Sequence, residues 1–230
     1  MTHMTSTGRH FQAGIDDLKR ELGLQGTTVS ARLGQAVRGL ATRNLHALDE
    51  VAIGDGEINA RQMGIDDRAF KLLALQQPVA IDLRVIVAAI KVNADLERIG
   101  DLAVNIAEAS RRYMDYGVIA EQEVIPRMTD VAQAMLQWSI DAFITGNVGL
   151  AQTVLERDDI LDTLRDQAFR RLADTMAKTP SVMPSALELM LLTRHFERIG
   201  DHATNIAEDV FFVVAGEDVR HHAHGLAASE

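Results

Sequence analysis

The sequence has no cysteine, and it is poor in proline and aromatic residues. Without cysteine, neither a disulfide nor a thiolate metal site can form, which fits a reducing compartment. Four prolines and an aromatic content of 4% in 230 residues leave long stretches without helix-breaking residues. No segment of strand length alternates between apolar and polar residues, so the composition predicts an all-α protein.

Long apolar runs and an excess of basic residues are missing as well. The longest apolar run, residues 85–90, falls far short of the roughly 20 residues that a membrane-spanning helix needs. The first ten residues contain no signal-peptide core, so we expect a soluble, cytoplasmic protein. Lys and Arg number 23 against 33 Asp and Glu, which gives a net charge of −10. This charge disfavours nucleic-acid binding and suits metal cations or basic protein surfaces.

What the sequence does contain is one thirteen-residue segment twice. Residues 96–108 read LERIGDLAVNIAE and residues 196–208 read FERIGDHATNIAE, with ten of the thirteen positions identical. An internal repeat of this kind indicates two copies of one structural unit. We therefore predict two domains, a first repeat over residues 9–116 and a second over residues 121–217.

Proline and glycine signals divide each repeat into three helices. The predicted helices span 9–52, 56–76, 79–114, 121–146, 148–178 and 184–215. The turn between the first two helices of each half is expected at Gly54/Gly56 and at Gly146/Asn147. Long helices with short connections are typical of bundles. The predicted fold is therefore two repeated three-helix bundles side by side, with six long helices.

The third helix of each repeat carries an apolar seam whose residues step by three and four in alternation. The seams consist of Val85, Ala89, Val92, Leu96, Ile99, Ala103 and Ile106, and of Leu189, Leu192, Phe196, Ile199, Ala203, Ile206, Val210 and Val213. A period of about 3.5 residues predicts that these helices pack against partner helices. We also assign Trp138, Phe143 and Phe169 to the core.

Nearly opposite the seam, each repeated motif presents acids and an amide on an outer helix face. At 100° per residue these side chains fall within roughly 80° of one another. They are Glu97, Asp101, Asn105 and Glu108 in the first copy and Glu197, Asp201, Asn205 and Glu208 in the second. Such oxygen-rich arrays suit Mg²⁺, Mn²⁺ or iron. Gly100 and Gly200, between each Glu and Asp, indicate that another group approaches the helix backbone there.

The fifth predicted helix supplies a second acidic pair. Asp158 and Asp162 are four residues apart, and in an antiparallel hairpin they come within about two turns of the height of Glu197. The corresponding pair in the first half is Asp55 and Asn59, in which an amide replaces one acid. The sequence thus predicts a metal site in each half, and the first site holds its metal differently or less tightly.

Other interpretations stay open beside the metal site. The acidic face can be a solvated surface that Arg98 and Arg198 neutralise. His202 is a further candidate ligand, and the histidine cluster at 221–224 is a weaker one. No HExxH, Walker loop, GxSxG or paired ExxH motif is present, so we predict that the protein is not an enzyme. The enzymatic alternative is a metal-dependent hydrolase or oxidase that uses the acidic clusters.

The segments ERIGDLAVNIAE, ERIGDHATNIAE, LLALQQPVAIDLRVIVAAIK and NIAEDVFFVVAGEDVRH resemble the PhoU family of phosphate-uptake regulators. The resemblance covers roughly residues 9–222. It implies two three-helix bundles with E(D)xxxD motifs that bind iron or zinc clusters on the surface. At the matching positions it implies three ligand pairs, and Asn59 departs from the family pattern at Asp55. The implied pairs are Glu97/Asp101, Asp158/Asp162 and Glu197/Asp201.

The same resemblance implies a role and partners. The family restrains high-affinity phosphate uptake and phosphate-starvation two-component signalling. It does so as a bridge between the ATPase subunit of the phosphate transporter and a sensor histidine kinase. The resemblance therefore implies a cytoplasmic protein that is peripheral to the membrane through these partners. We also expect a homodimer and no nucleic-acid partner.

Overall fold

The computed structural model describes residues 6–76, 78 and 81–216, and every secondary-structure element in these ranges is helical. Two short 3-10 helices, Ala120–Glu123 and Pro180–Val182, each precede a long helix. The α-helices are α1 (Ser6–Ala41), α2 (Leu45–Ile53), α3 (Asp55–Gln76), α4 (Ile81–Met114), α5 (Val124–Thr145), α6 (Val148–Lys178) and α7 (Met183–Ala215). The predicted all-α class is confirmed. The histidine cluster at 221–224 lies outside the described residues.

The helices form two three-membered bundles. In the first, α2 and α3 together make one arm that packs against α1 and α4. In the second, α5, α6 and α7 pack on one another. The two bundles meet chiefly along α4 and α7, which have the most extensive contact in the molecule. Within the described residues, no helix is both long enough and apolar enough to span a membrane.

The prediction of one helix over 9–52 is wrong, because the chain turns after α1 and a separate helix, α2, follows the turn. Arg43 has a φ of 51°, and the side chain of Asn44 accepts a hydrogen bond from the Ala47 amide at 3.2 Å. A cap of this kind starts a new helix. After the turn, α2 runs back along α1 and packs against it. The turn expected at Gly54/Gly56 is only a break between α2 and α3.

The second repeat makes the same turn where it was predicted. Gly146 has a φ of 70°, and the side chain of Asn147 accepts a hydrogen bond from the Leu150 amide at 3.0 Å. Asn147 follows Asn44 by 103 residues, as Asp158 follows Asp55. The first turn was missed because an arginine takes the left-handed conformation that glycine usually supplies.

The predicted seams of α4 and α7 form the core. Every seam residue is buried except Val213, which is partly buried. The core prediction holds for Phe143, and Trp138 packs against the core while partly exposed. It is wrong for Phe169, whose ring lies on the outer side of α6 with 37% of its surface exposed.

Polar pairs join the two bundles across the antiparallel helices α4 and α7. His202 Nδ1 lies 2.7 Å from Asp95 Oδ1, and the Lys91 ammonium lies 3.1 Å from Asp209 Oδ1. Further along, Arg112 Nε donates to both carboxylate oxygens of Glu188, at 3.0 and 3.1 Å. The Asp209 side chain is only 4% exposed, so this pair is an internal part of the junction.

Candidate functional site

The acids predicted in the second repeat lie together in the groove between α6 and α7. Asp158 lies over the backbone of α7, because a Cβ atom added to Gly200 would come within 3.2 Å of Asp158 Oδ1. Leu161, one turn further along α6, covers the same glycine, with its Cδ2 atom 2.6 Å from that Cβ position. The prediction that a group approaches the glycine backbone is confirmed. The absence of a side chain at Gly200 allows the two acidic helices to come close.

Arg165 of α6 links these acids across the groove, and the sequence analysis did not single it out. Its Nη1 atom donates to Glu197 Oε1 of α7 and lies 3.4 Å from Asp162 Oδ1. Its Nη2 atom donates to Asp166 Oδ1 at 2.9 Å. One guanidinium therefore contacts three carboxylates from two helices. The signal was the position of Arg165 three residues after Asp162, on the same side of the helix.

The cluster has more negative charge than Arg165 can neutralise. Burial raises the pKa of Asp158 to about 6, and repulsion from the carboxylates of Asp162 and Asp201 adds to the effect. Burial and repulsion by Asp201 raise the pKa of Glu197 despite its ion pair with Arg165. Burial, followed by repulsion from Asp162, also raises the pKa of Asp201. An added cation close to these groups would relieve this repulsion.

The glutamate of each copy is not on a fully solvated outer face. The side chains of Glu97 and Glu197 are only 19% and 18% exposed. In the first copy, Arg98 lies 3.6 Å from Glu97 Oε2 and 3.5 Å from Asp101 Oδ2. Arg98 thus neutralises acids of its own helix, as the solvated-face interpretation expects. The low exposure of the two glutamates argues against that interpretation.

The first repeat repeats the geometry but not the full acid set. A Cβ atom on Gly100 would come within 2.9 Å of Ile58 Cδ1, as the one on Gly200 meets Leu161. Asn59 stands where the second repeat has Asp162. The side chain of Asp55 lies outside the described part of the chain. The structure thus keeps the close helix approach in both halves, while the larger acid cluster belongs to the second.

The two asparagines and His202 have different surroundings. Asn205 donates from Nδ2 to Asp95 Oδ1 at 3.3 Å, and His202 contacts the same oxygen. Both side chains thus face α4 rather than the acids of α6. Asn105, the counterpart of Asn205, is partly buried on α4. His195, five residues before Gly200, has its pKa lowered by burial and by the guanidinium groups of Arg198, Arg112 and Arg194.

An open depression of about 600 Å³ adjoins the acid cluster. Its lining mixes cations, acids and one aromatic ring: Arg165, Asp166, Phe169, Arg194, Glu197, Arg198 and Asp201. The exposed ring of Phe169 forms part of the wall. The depression makes one edge of the acid cluster accessible to solutes.

The donor set suits a hard cation, but the side chains do not converge on one point. Among the described residues, no three His, Asp or Glu side chains are placed so that they could hold one metal ion between them. In the second repeat, Arg165 contacts both Asp162 and Glu197, the acids that a bridging cation would share. Carboxylate oxygens are suitable ligands for such a cation, and its charge would relieve the repulsion that raises the pKa values of these acids. A metal would therefore require rotation of Arg165 away from the cluster.

Two fused three-helix bundles, with an acidic groove between the last two helices of the second, define a class of duplicated all-helical proteins without an evident catalytic motif. The model of a family described as "PhoU domain" matches residues 24–110 and again residues 125–210. The chain belongs to the PhoU family.

Relatives and a solved structure agree with this assignment. The chain is 34% identical over 222 residues to the "Phosphate-specific transport system accessory protein PhoU homolog" of Pseudomonas aeruginosa, covering 96% of this chain and 91% of the relative. A protein of the same description from Caulobacter vibrioides is 34% identical over 214 residues, covering 93% of each chain. The crystal structure of PhoU from Pseudomonas aeruginosa superposes with a TM-score of 0.86 at 32% identity, covering 90% of this chain and 100% of that one. The predicted family and two-bundle fold are confirmed.

Proposed function

We propose that this protein is a metal-binding, non-catalytic regulator of phosphate uptake. Membership of the PhoU family supports the link to phosphate transport, since relatives over 90% of the chain are named accessory proteins of phosphate-specific transport systems. The observation that supports metal binding is the excess of negative charge in the groove between α6 and α7, where the pKa of Asp158 rises to about 6.

Four residues of the second repeat would hold the metal: Asp158, Asp162, Glu197 and Asp201. An all-carboxylate set suits Mg²⁺, Mn²⁺ or iron, and a zinc ion is less well matched without nitrogen or sulfur donors. The cation would supply positive charge that changes which side chains bond to Arg165. Its binding would release the Arg165 guanidinium from the acids, and this would change the charge on the surface of the depression. The first repeat would bind more weakly because Asn59 replaces an acid.

The partners follow from the proposed regulatory role. The protein would act in the cytoplasm as a homodimer that bridges the transporter ATPase subunit and a sensor histidine kinase, which keeps it peripheral to the membrane. Helices of more than 30 residues, such as α4 and α7, offer long faces for such contacts. In this role the protein restrains uptake and starvation signalling while phosphate is plentiful.

The metal is tested by thermal unfolding and elemental analysis of untagged protein. Mn²⁺ or Fe²⁺ is expected to raise the melting temperature of the wild type, because a ligand that binds only the folded state stabilises it. The variant Glu197→Gln/Asp201→Asn should lose most of this increase. The matched variant Glu97→Gln/Asp101→Asn, at the same positions of the first repeat, should lose less. Equal increases in all three proteins would reject the site.

The regulatory role is tested by co-purification from phosphate-replete cells. Recovery of a transporter ATPase and a sensor kinase by the wild type, weakened in Glu197→Gln/Asp201→Asn, supports an adaptor that depends on the cluster. Recovery of neither partner contradicts the proposed role. Turnover of a phosphate ester with Mn²⁺, lost in the same variant, would instead support the hydrolase alternative.

A further inference from the structure

Two arginines on the outer face of α7 make no direct ion pair with a described residue, although the charge of Arg198 acts on Asp201 and offsets part of the rise in its pKa. Arg194 and Arg198 are four residues apart and exposed, and both line the depression beside Phe169. In the described part of the chain, neither side chain forms an ion pair or a hydrogen bond. Like charges at this spacing destabilise a helix slightly. The pair is unexpected in a protein whose net charge is −10.

The first repeat shows that the fold does not require these cations. Arg98 corresponds to Arg198, and it is neutralised by Glu97 and Asp101 of its own helix. Ala94 stands at the position of Arg194. On the neighbouring helix, Gln62 and Asp66 stand where the second repeat has Arg165 and Phe169. Both repeats nevertheless form the same bundle, so Arg194 and the Phe169 ring are features of the second repeat that the fold does not require.

The charges in the depression are distributed unevenly. Arg165 lies between α6 and α7 and is already bonded to Asp166 and Glu197. With one arginine and two acids, these three side chains leave one negative charge on the groove side of the depression. What remains at the open rim is the pair Arg194 and Arg198, opposed only by Asp201 among the other lining residues. The depression as a whole is lined by three arginines and three acids, and at its open rim two guanidinium groups face one carboxylate.

We propose that Arg194 and Arg198 form a binding site for a tetrahedral oxyanion of the phosphate type. Guanidinium groups present paired N–H donors that match two oxygens of a phosphate group. Side chains four residues apart on one helix face begin about 6 Å from each other, so both can reach one anion. The Phe169 ring beside them is available to an apolar group attached to the anion. The site goes beyond the proposed metal binding, although Glu197 and Asp201 of the proposed metal set line the same depression.

The test is a calorimetric titration of the full-length protein, treated with chelator to remove metal, with inorganic phosphate at low ionic strength. We expect saturable binding with a Kd on the order of 1 mM, which weakens as chloride screens the charges. Arg198→Gln should weaken binding roughly tenfold, because it removes a charged hydrogen-bond donor. Arg98→Gln, which makes the same change in charge at the equivalent position of the first repeat, should leave the affinity unchanged.

A second arm distinguishes a free anion from a phosphoryl group carried by an organic molecule. Phenyl phosphate should bind several-fold more tightly than inorganic phosphate if Phe169 contacts the organic part. Phe169→Ala should then remove the gain without changing the affinity for inorganic phosphate. Equal affinities for both compounds assign the site to the free anion.

The proposal is overturned if neither compound binds saturably to protein whose helical circular dichroism is intact. It is also overturned if Arg98→Gln weakens binding as much as Arg198→Gln does. Because the titrations are made without metal, a negative result leaves the proposed metal site unaffected. A failed metal experiment likewise leaves the anion site standing.

Discussion

Leu161 covers Gly200 so closely that a methyl group on the glycine would come within 2.6 Å of Leu161 Cδ2. Ile58 covers Gly100 in the same way in the first repeat, at 2.9 Å. The repeated pair of a glycine and a branched aliphatic residue sets the distance between the second and third helices of each bundle. The acids of the second repeat face one another because of this short distance.

Gly200→Ala is expected to destabilise the protein by about 1–2 kcal/mol. The added methyl group overpacks a fully buried contact, and the gain in helix propensity offsets only part of that cost. Gly64→Ala in α3 is the control, since a methyl group there meets nothing within 4 Å. Gly64→Ala should stabilise the protein by roughly 0.5–1 kcal/mol. Urea unfolding of both variants measures the difference, and a stabilising Gly200→Ala would contradict the packing argument.

Asp158→Asn is expected to stabilise the metal-free protein at pH 8 and much less at pH 4. The folded pKa of Asp158, about 6, lies above the unfolded value of roughly 3.9. Below the unfolded value both states are protonated. Between the two values the folded state keeps a proton that the unfolded state has lost, so stability falls as pH rises. The full penalty is present above the folded value.

Because Asp158 is only partly buried, solvent screening reduces this penalty to on the order of 1 kcal/mol. The measurement is the free energy of unfolding of wild type and Asp158→Asn between pH 4 and pH 8. Asp159→Asn removes the same charge from the exposed neighbouring position. If Asp159→Asn gave the same pH-dependent gain, the effect would belong to the net charge and not to the groove.

Lys91→Met is expected to weaken the junction of the two bundles by about 2–3 kcal/mol. The Lys91 ammonium contacts the buried Asp209 carboxylate and lies 5.2 Å from the centre of the Phe212 ring. Removing it takes the cation from a carboxylate that is 4% exposed. The double variant Lys91→Met/Asp209→Asn should recover part of the loss, because no buried charge then remains at the site. A double-mutant cycle from chemical unfolding yields the coupling energy.

Asn44→Ala and Asn147→Ala are each expected to cost about 1 kcal/mol of stability. Each asparagine oxygen accepts a backbone N–H at the start of its helix, at 3.2 and 3.0 Å. Asn→Asp at either position should preserve the cap, since aspartate caps helices equally well. Thermal unfolding of the four variants checks this. Equal losses for alanine and aspartate would show that the side-chain oxygen is not what matters.

The sequence was sufficient to predict the repeated motif, the buried seams and the close approach at Gly100 and Gly200. Apolar periodicity and the low helix propensity of glycine are local properties that a sequence shows directly. The turn at Arg43 could not be predicted, since arginine gives no turn signal. Only comparison with Asn147 in the other repeat would have placed it. The outward position of Phe169 was missed for a related reason. An aromatic residue on an amphipathic helix suggests burial, and its exposure depends on how α6 packs against α7.

The bridging role of Arg165 and the pairing of Asn205 with Asp95 depend on which helices meet, and sequence spacing does not give this. The sequence did indicate which acids share a helix face. It did not indicate that an internal cation already lies between two of them. The acid cluster itself was therefore accessible to prediction, while its electrostatic balance required the structure.

Because both bundles belong to one chain, each half can change independently. In an assembly of two identical subunits, every substitution appears twice, and paired surfaces stay equal. Here Asn59 faces one groove while Asp162 faces the other, and Ala94 is matched by Arg194. The two halves of the duplicated chain therefore have different surface chemistry, which a symmetric pair would lack. A partner can distinguish one end of this protein from the other although both ends have the same fold.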